Sequence, residues 1–322
     1  MKLVIFICSI LTLILSNGAD STAQTLTDRH TASITTTVSP NPVINGNCLL
    51  LVVDTRRLKD SVVGIQAKFR GGIIPIFQHP AKAGGIFIGL IGISYYSEPG
   101  VENIKLEWTN RGGYHDMPVQ FEIVSGKYKK ESLRVPKQKV TPSAKDQHRI
   151  SNERKELKAI YASGHPTQLW RTGFQRPANS KITSPFGTRR LLNGKMKSYH
   201  SGVDFRAPVG TPVYAANDGI VRFAKELFYS GNHLIVDHGM GVFTGYSHLS
   251  EFSVEPEQYV SKGHVIGRAG STGRSNGPHL HWGAKVNGVS VNPLQLAEIL
   301  QPLFPPQAQT DVTTISDQAP SQ

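Results

Sequence analysis

The chain has 322 residues, with 35 Lys and Arg against 23 Asp and Glu, a formal charge of +12 near neutral pH. That length suits two modest domains, and the charge draws the protein toward anionic polymers. Two cysteines, Cys8 and Cys48, exclude a disulfide framework. Beyond the N-terminal leader, no apolar run is long enough to span a bilayer.

Met1 and Lys2 precede an apolar run over residues 3–15, then small and polar residues ending in Ser21-Thr-Ala23. The pattern predicts a secretory signal at 1–23, and hence an exported protein, periplasmic or secreted. Cys8 follows Ile7 rather than a small residue, which argues against a lipid anchor. Residues 35–126 hold short apolar runs (48–53, 62–65, 85–90, 119–124) separated by Gly, Pro, Asn and Asp. That spacing predicts an immunoglobulin-like β-sandwich. With the leader gone, Cys48 is the sole cysteine and reads as a small buried residue. Residues 127–174 form a basic linker. Lys127 to Lys158 carries eleven Lys or Arg against four Asp or Glu, with a helix predicted over 143–162. A linker with a solvated helix face is favoured over nucleic-acid binding for an exported chain. Residues 175–298 carry the chemistry, and the Pro-, Gln-, Thr- and Ser-rich tail at 301–322 reads as disordered.

His200-Ser-Gly-Val-Asp204 is answered by His279-Leu-His281. Two imidazoles and a carboxylate fill three corners of a zinc tetrahedron, and a fourth left to water marks a catalytic rather than a structural metal. Side chains two apart on a strand share a face, so if His281 binds metal, His279 lies beside it. Tyr246-Ser247-His248 repeats that alternation within a predicted strand. Seven of the twelve histidines fall between His200 and His281. Of these, His233, His238 and His264 read as structural, and Asp218 before Gly219 as turn chemistry. Arg189 and Arg190 could grip a carboxylate bidentately. Phe186 and Trp282 read as packing.

Over roughly residues 180 to 297 the sequence resembles the LytM/lysostaphin-type zinc metallopeptidases, peptidase family M23, which cut peptide bonds in bacterial cell-wall peptidoglycan. Besides His200 to Asp204, the matching elements are Tyr246-Ser-His-Leu249 and Ser275-Asn-Gly-Pro-His-Leu-His281. Flanking matches include Ser184-Pro-Phe-Gly-Thr-Arg189, Ala207-Pro-Val-Gly-Thr-Pro-Val213 and Val236-Asp-His-Gly239. The resemblance implies a largely antiparallel β domain with a groove and one zinc ion held by His200, Asp204 and His281. It also implies His248 and His279 as catalytic histidines, in an order the sequence leaves open. Arg189 is the candidate substrate-binding residue, and peptidoglycan, not nucleic acid, the expected partner. The implied activity is a zinc endopeptidase acting on stem-peptide cross-links. The alternatives are a non-catalytic wall binder or amidase activator, disfavoured because every ligand is present, and a zinc protease for Gly-rich proteins. The sandwich could cover the groove, place the enzyme on the wall, or add stability.

Overall fold

A computed structural model describes residues 25–26, 34–82, 84–134, 141–194 and 196–304. The expected signal at 1–23 and most of the expected tail lie outside them. No helix among the described residues is long and apolar enough to cross a membrane.

The N-terminal part is a sandwich of two five-stranded sheets. One runs Thr25–Leu26, Thr35–Ser39, Cys48–Asp54, Ile86–Gly92, Ile76–Gln78; the other runs Val43–Ile44, Gly113–Val124, Gly100–Asn110, Gly64–Phe69, Gly72–Ile74. In Gly113–Val124 burial alternates, with Met117, Val119, Phe121 and Ile123 inside, the pattern of a sheet with one wet face. Cys48–Asp54 is buried almost without a break. Leu49, Leu51 and Val53 enter the sandwich core, whereas Cys48 and Leu50 join Ile88 and Leu90 in the core of the C-terminal part. This sheet is therefore packed on both faces, which is why residues 48–53 are continuously apolar.

The C-terminal part centres on an antiparallel sheet in the order Ile182–Ser184, Gly202–Arg206, His279–Val286, Val242–Phe252, Gly231–Asp237, Gly219–Leu227, Tyr259–Val260. Val203, Phe205, Tyr246, Leu280 and Trp282 fill its core. The C-terminal helix, Pro293–Leu300, is capped by Asn292 and locks the two parts together. Its Gln295 accepts from the Cys48 backbone N–H (3.0 Å) and donates to the Cys48 carbonyl (2.9 Å). Asn287 adds a bond to the Leu90 carbonyl (2.8 Å).

The segment read as linker is built into this body. Lys130–Leu133 pairs in parallel with Arg189–Leu192, which pairs with Met196–Tyr199. Trp170 and Phe174 belong to the C-terminal core. The predicted helix forms as Ala144–Ala162, with Ser143 as N-cap. Its Leu157, Ile160 and Tyr161 pack on Phe223, Leu227, Ile235 and Phe243. The tail reading fails at its first residues. Gln301–Leu303 is a 3-10 turn with Leu303 buried, and Phe304 lies 5.7 Å from the Trp170 ring, because apolar burial outweighs the polar composition that follows.

Candidate active site

Three neighbouring strands set the site. Asp204 opposes His281 in one strand pair, and Ser247 opposes His281 in the next. Leu280 is buried on the core side of its strand, so His279 and His281 share the other face. Gly202 faces the same strand. A Cβ there would stand 2.4 Å from the Trp282 carbonyl oxygen and 2.7 Å from His281 Nε2, so the glycine of His-Ser-Gly-Val-Asp makes room for the imidazole. His248 reaches the site through an irregularity. Strand register shifts on both sides of it, and its φ of +62° is left-handed, a conformation that costs a non-glycine residue on the order of 1–2 kcal/mol.

His200 Nδ1 donates to the Pro185 carbonyl (3.0 Å), leaving Nε2 2.8 Å from Asp204 Oδ1 and 2.9 Å from His281 Nδ1. His281 Nδ1 is also 2.9 Å from Asp204 Oδ1. With the His200 proton committed to Pro185, Nε2 turns a lone pair toward a carboxylate oxygen and a second ring nitrogen. Such a convergence needs either a proton on His281 Nδ1 or a cation among the three atoms. Among the described residues these three side chains form a group able to hold a metal ion.

Both remaining histidines lie beside the cluster, the His248 ring 6.1 Å from that of His281. His248 Nδ1 donates to the Thr272 carbonyl (2.7 Å) and His279 Nδ1 to the Gly277 carbonyl (2.8 Å). His279 Nε2 is 3.8 Å from Asp204 Oδ1, and the two rings are 4.7 Å apart. Burial pushes His200 below the usual imidazole range and His248 down to about 3, so both are neutral near pH 7.

Arg190 is the residue the sequence reading underused. Its Nη2 donates to Asp204 Oδ2 (3.1 Å) and to Ser184 (3.0 Å), and its Nε to Glu131 of the linker strand (2.7 Å). Glu131, Arg190 and Asp204 line a cleft of about 310 Å³ together with His248, Arg274, His279 and His281. Arg274 is half-buried, its guanidinium 4.5 Å above Tyr229. Arg189 is not among the cleft's lining residues. It is exposed, bonds the Tyr95 hydroxyl at 3.3 Å, and lines a neighbouring groove. Neither Glu131 nor Arg274 carries a signal in the sequence.

His233 and His238 have their own partners. His233 bonds Ser247 (2.9 Å) and His264 is exposed. Buried His238 donates from Nδ1 to the Asp218 carbonyl (2.7 Å), while Nε2 accepts from Thr244 (2.8 Å). Thr244 accepts in turn from Tyr246 (2.9 Å), whose hydroxyl accepts from the Ala216 N–H (2.9 Å). That directional chain fixes the strand leading to His248. Phe186 and Trp282 are buried.

A sequence profile described as Peptidase family M23 matches residues 198–293, the span holding all five site residues. Residues 198–293 of the chain therefore form an M23-type peptidase domain. Its M23 domain is 47% identical over 118 residues to the DD-carboxypeptidase/endopeptidase Mpg of Neisseria meningitidis serogroup B, covering 37% of this chain and 27% of that protein. It is 39% identical over 156 residues to the peptidoglycan DD-endopeptidase ShyA of Vibrio cholerae, covering 46% and 36%. The chain thus spans about a quarter to a third of the length of these curated relatives. A crystal structure assigned to peptidase M23 from Pseudomonas aeruginosa superposes with TM-score 0.60 at 29% identity, covering 79% of this chain and 94% of that one. The likeness therefore takes in more than the M23 domain.

Proposed function

We propose that the protein is an exported, zinc-dependent endopeptidase that hydrolyses stem-peptide cross-links in peptidoglycan. The observation that carries this reading is the meeting of His200 Nε2, Asp204 Oδ1 and His281 Nδ1, all within 2.9 Å of one another, beside the imidazoles of His248 and His279. Two imidazoles and a carboxylate, with no thiolate, are the donor set of a catalytic rather than a structural zinc. The printed activity of the Vibrio relative, a peptidoglycan DD-endopeptidase, supports peptidoglycan as substrate, that of the Neisseria relative supports an endopeptidase, and substrate in the wall requires export.

His200, Asp204 and His281 would hold the zinc, which supplies Lewis-acid polarisation of the scissile carbonyl and a lowered water pKa. The chain's own residues do the rest. Arg190 holds the outer oxygen of Asp204, leaving Oδ1 directed at the cluster. His248 and His279, each with its Nδ1 proton given to a backbone carbonyl, have Nε2 available to take the proton of the attacking water. The ring that takes the proton returns it to the leaving amine, and the second ring, its centre 4.7 Å from the first, can hold the oxyanion only when it carries a proton on Nε2. A purified cross-linked muropeptide dimer tests the reading. Zinc should bind one to one, and turnover should vanish with a chelator and return with zinc. Turnover indifferent to the chelator would overturn it.

A further inference from the structure

A second groove, about 850 Å³, adjoins the cleft and shares Glu131 and Arg190 with it. Both parts of the protein build it. Tyr95 and Tyr96 come from the sandwich, just after Ile86–Gly92, and Tyr199 ends the strand Met196–Tyr199. Tyr95 lies flat on Tyr199, ring centres 4.0 Å apart and planes 1° from parallel, and Tyr96 stands edge-on to both at 5.2 and 5.4 Å. Tyr96 is left 70% exposed. Such a ring, held by two others rather than by its own rotamer preference, is a preorganised contact surface.

We propose that this groove is a carbohydrate subsite, holding the glycan that bears the stem peptide being cut. The inference rests on the endopeptidase reading of the adjoining cleft. A pyranose ring presents apolar C–H faces and a polar equatorial rim. The groove offers the complement, an aromatic platform edged by Ser97, Glu98, Arg189 and Ser198. A purely apolar ligand would desolvate the Glu98 carboxylate and the part of the Arg189 guanidinium that the Tyr95 hydroxyl does not engage. Continuity with the cleft places a sugar beside the peptide to which it is joined. The same continuity gives Arg189, expected from sequence to grip substrate, a role beyond the cleft: its guanidinium braces the Tyr95 hydroxyl and faces the sugar's amide and hydroxyl groups. The sandwich, fixed by the Gln295 and Asn287 bonds, thereby becomes part of substrate recognition.

The test compares wild type with Tyr96→Ala, an exposed substitution that removes the free ring. Binding of peptide-free glycan strands, measured calorimetrically, should weaken roughly tenfold, the scale of one aromatic contact. In parallel, kcat/KM is measured on a cross-linked dimer carrying its disaccharides and on the same dimer stripped of sugar. Wild type should prefer the sugar-bearing dimer, and Tyr96→Ala should lose that preference by a similar factor through KM. Equal glycan binding by both proteins, including none by either, would overturn the subsite. Failure of wild type to cut either dimer would overturn the endopeptidase reading instead, and the binding arm would still decide the subsite.

Discussion

Replacing Arg190 with Met keeps the length of the side chain and removes its three hydrogen bonds, to Glu131, Ser184 and Asp204. The Asp204 side chain is only 10% exposed and that of Arg190 20%, so solvent screens their contact weakly. Glu131, at 31%, can turn to water. The damage concentrates on Asp204, whose Oδ2 loses its charged donor while Oδ1 must still meet His200 and His281. Loss of a partner that orients a metal ligand typically lowers metal affinity by about 10- to 100-fold, or about 1.4–2.8 kcal/mol. Competition against a chromophoric chelator measures this directly, with circular dichroism reporting the fold. Glu131→Gln, which keeps a hydrogen-bond acceptor on a more exposed side chain, should cost at most about 1 kcal/mol. Zinc affinity unchanged in a folded Arg190→Met protein would refute the claim that this chain of contacts positions the ligand.

His281→Ala should lose stoichiometric zinc, whereas His248→Asn should keep it and lose turnover by about 10²–10⁴-fold, as elemental analysis and muropeptide assays can show. Because Asn tolerates the left-handed backbone at this position (φ +62°), His248→Asn should cost only about 1–2 kcal/mol in urea unfolding, the scale of the lost bond to Thr272. A large loss of stability would make His248 structural. Burial lowers the folded pKa of His238 from 6.5 to about 4. Between these values the unfolded chain binds more protons, so stability falls as pH drops, by about 2 kcal/mol from pH 7.5 to 5. His238→Gln should lack that part of the slope, and identical pH dependence would contradict the assignment. Gln295→Leu orphans the buried Cys48 N–H and carbonyl, which should cost roughly 2–5 kcal/mol in urea unfolding. A cost below about 1 kcal/mol would mean that Gln295 does not help to hold the two parts together.

Spacing made the His–Asp–His cluster readable. One strand pair explains Asp204 facing His281, and alternation explains His279 beside it. The position of His248 was readable only as part of a motif, since its approach depends on a register shift and a left-handed residue that no local propensity announces. Glu131 lies 59 residues from Arg190 in a segment whose basic composition hides a short parallel strand. The apolar run 48–53 was readable as a sandwich strand, but not its burial on both faces, because composition cannot say what covers the second face. The answer, Gln295 and its helix, comes 247 residues later.

The most direct test of the central claim is mass spectrometry of purified sacculi digested by the mature protein with and without a zinc chelator. The account predicts chelator-sensitive conversion of cross-linked muropeptides to monomers by wild type and none by His248→Asn. Cross-links left intact by a protein shown to carry one zinc would contradict it.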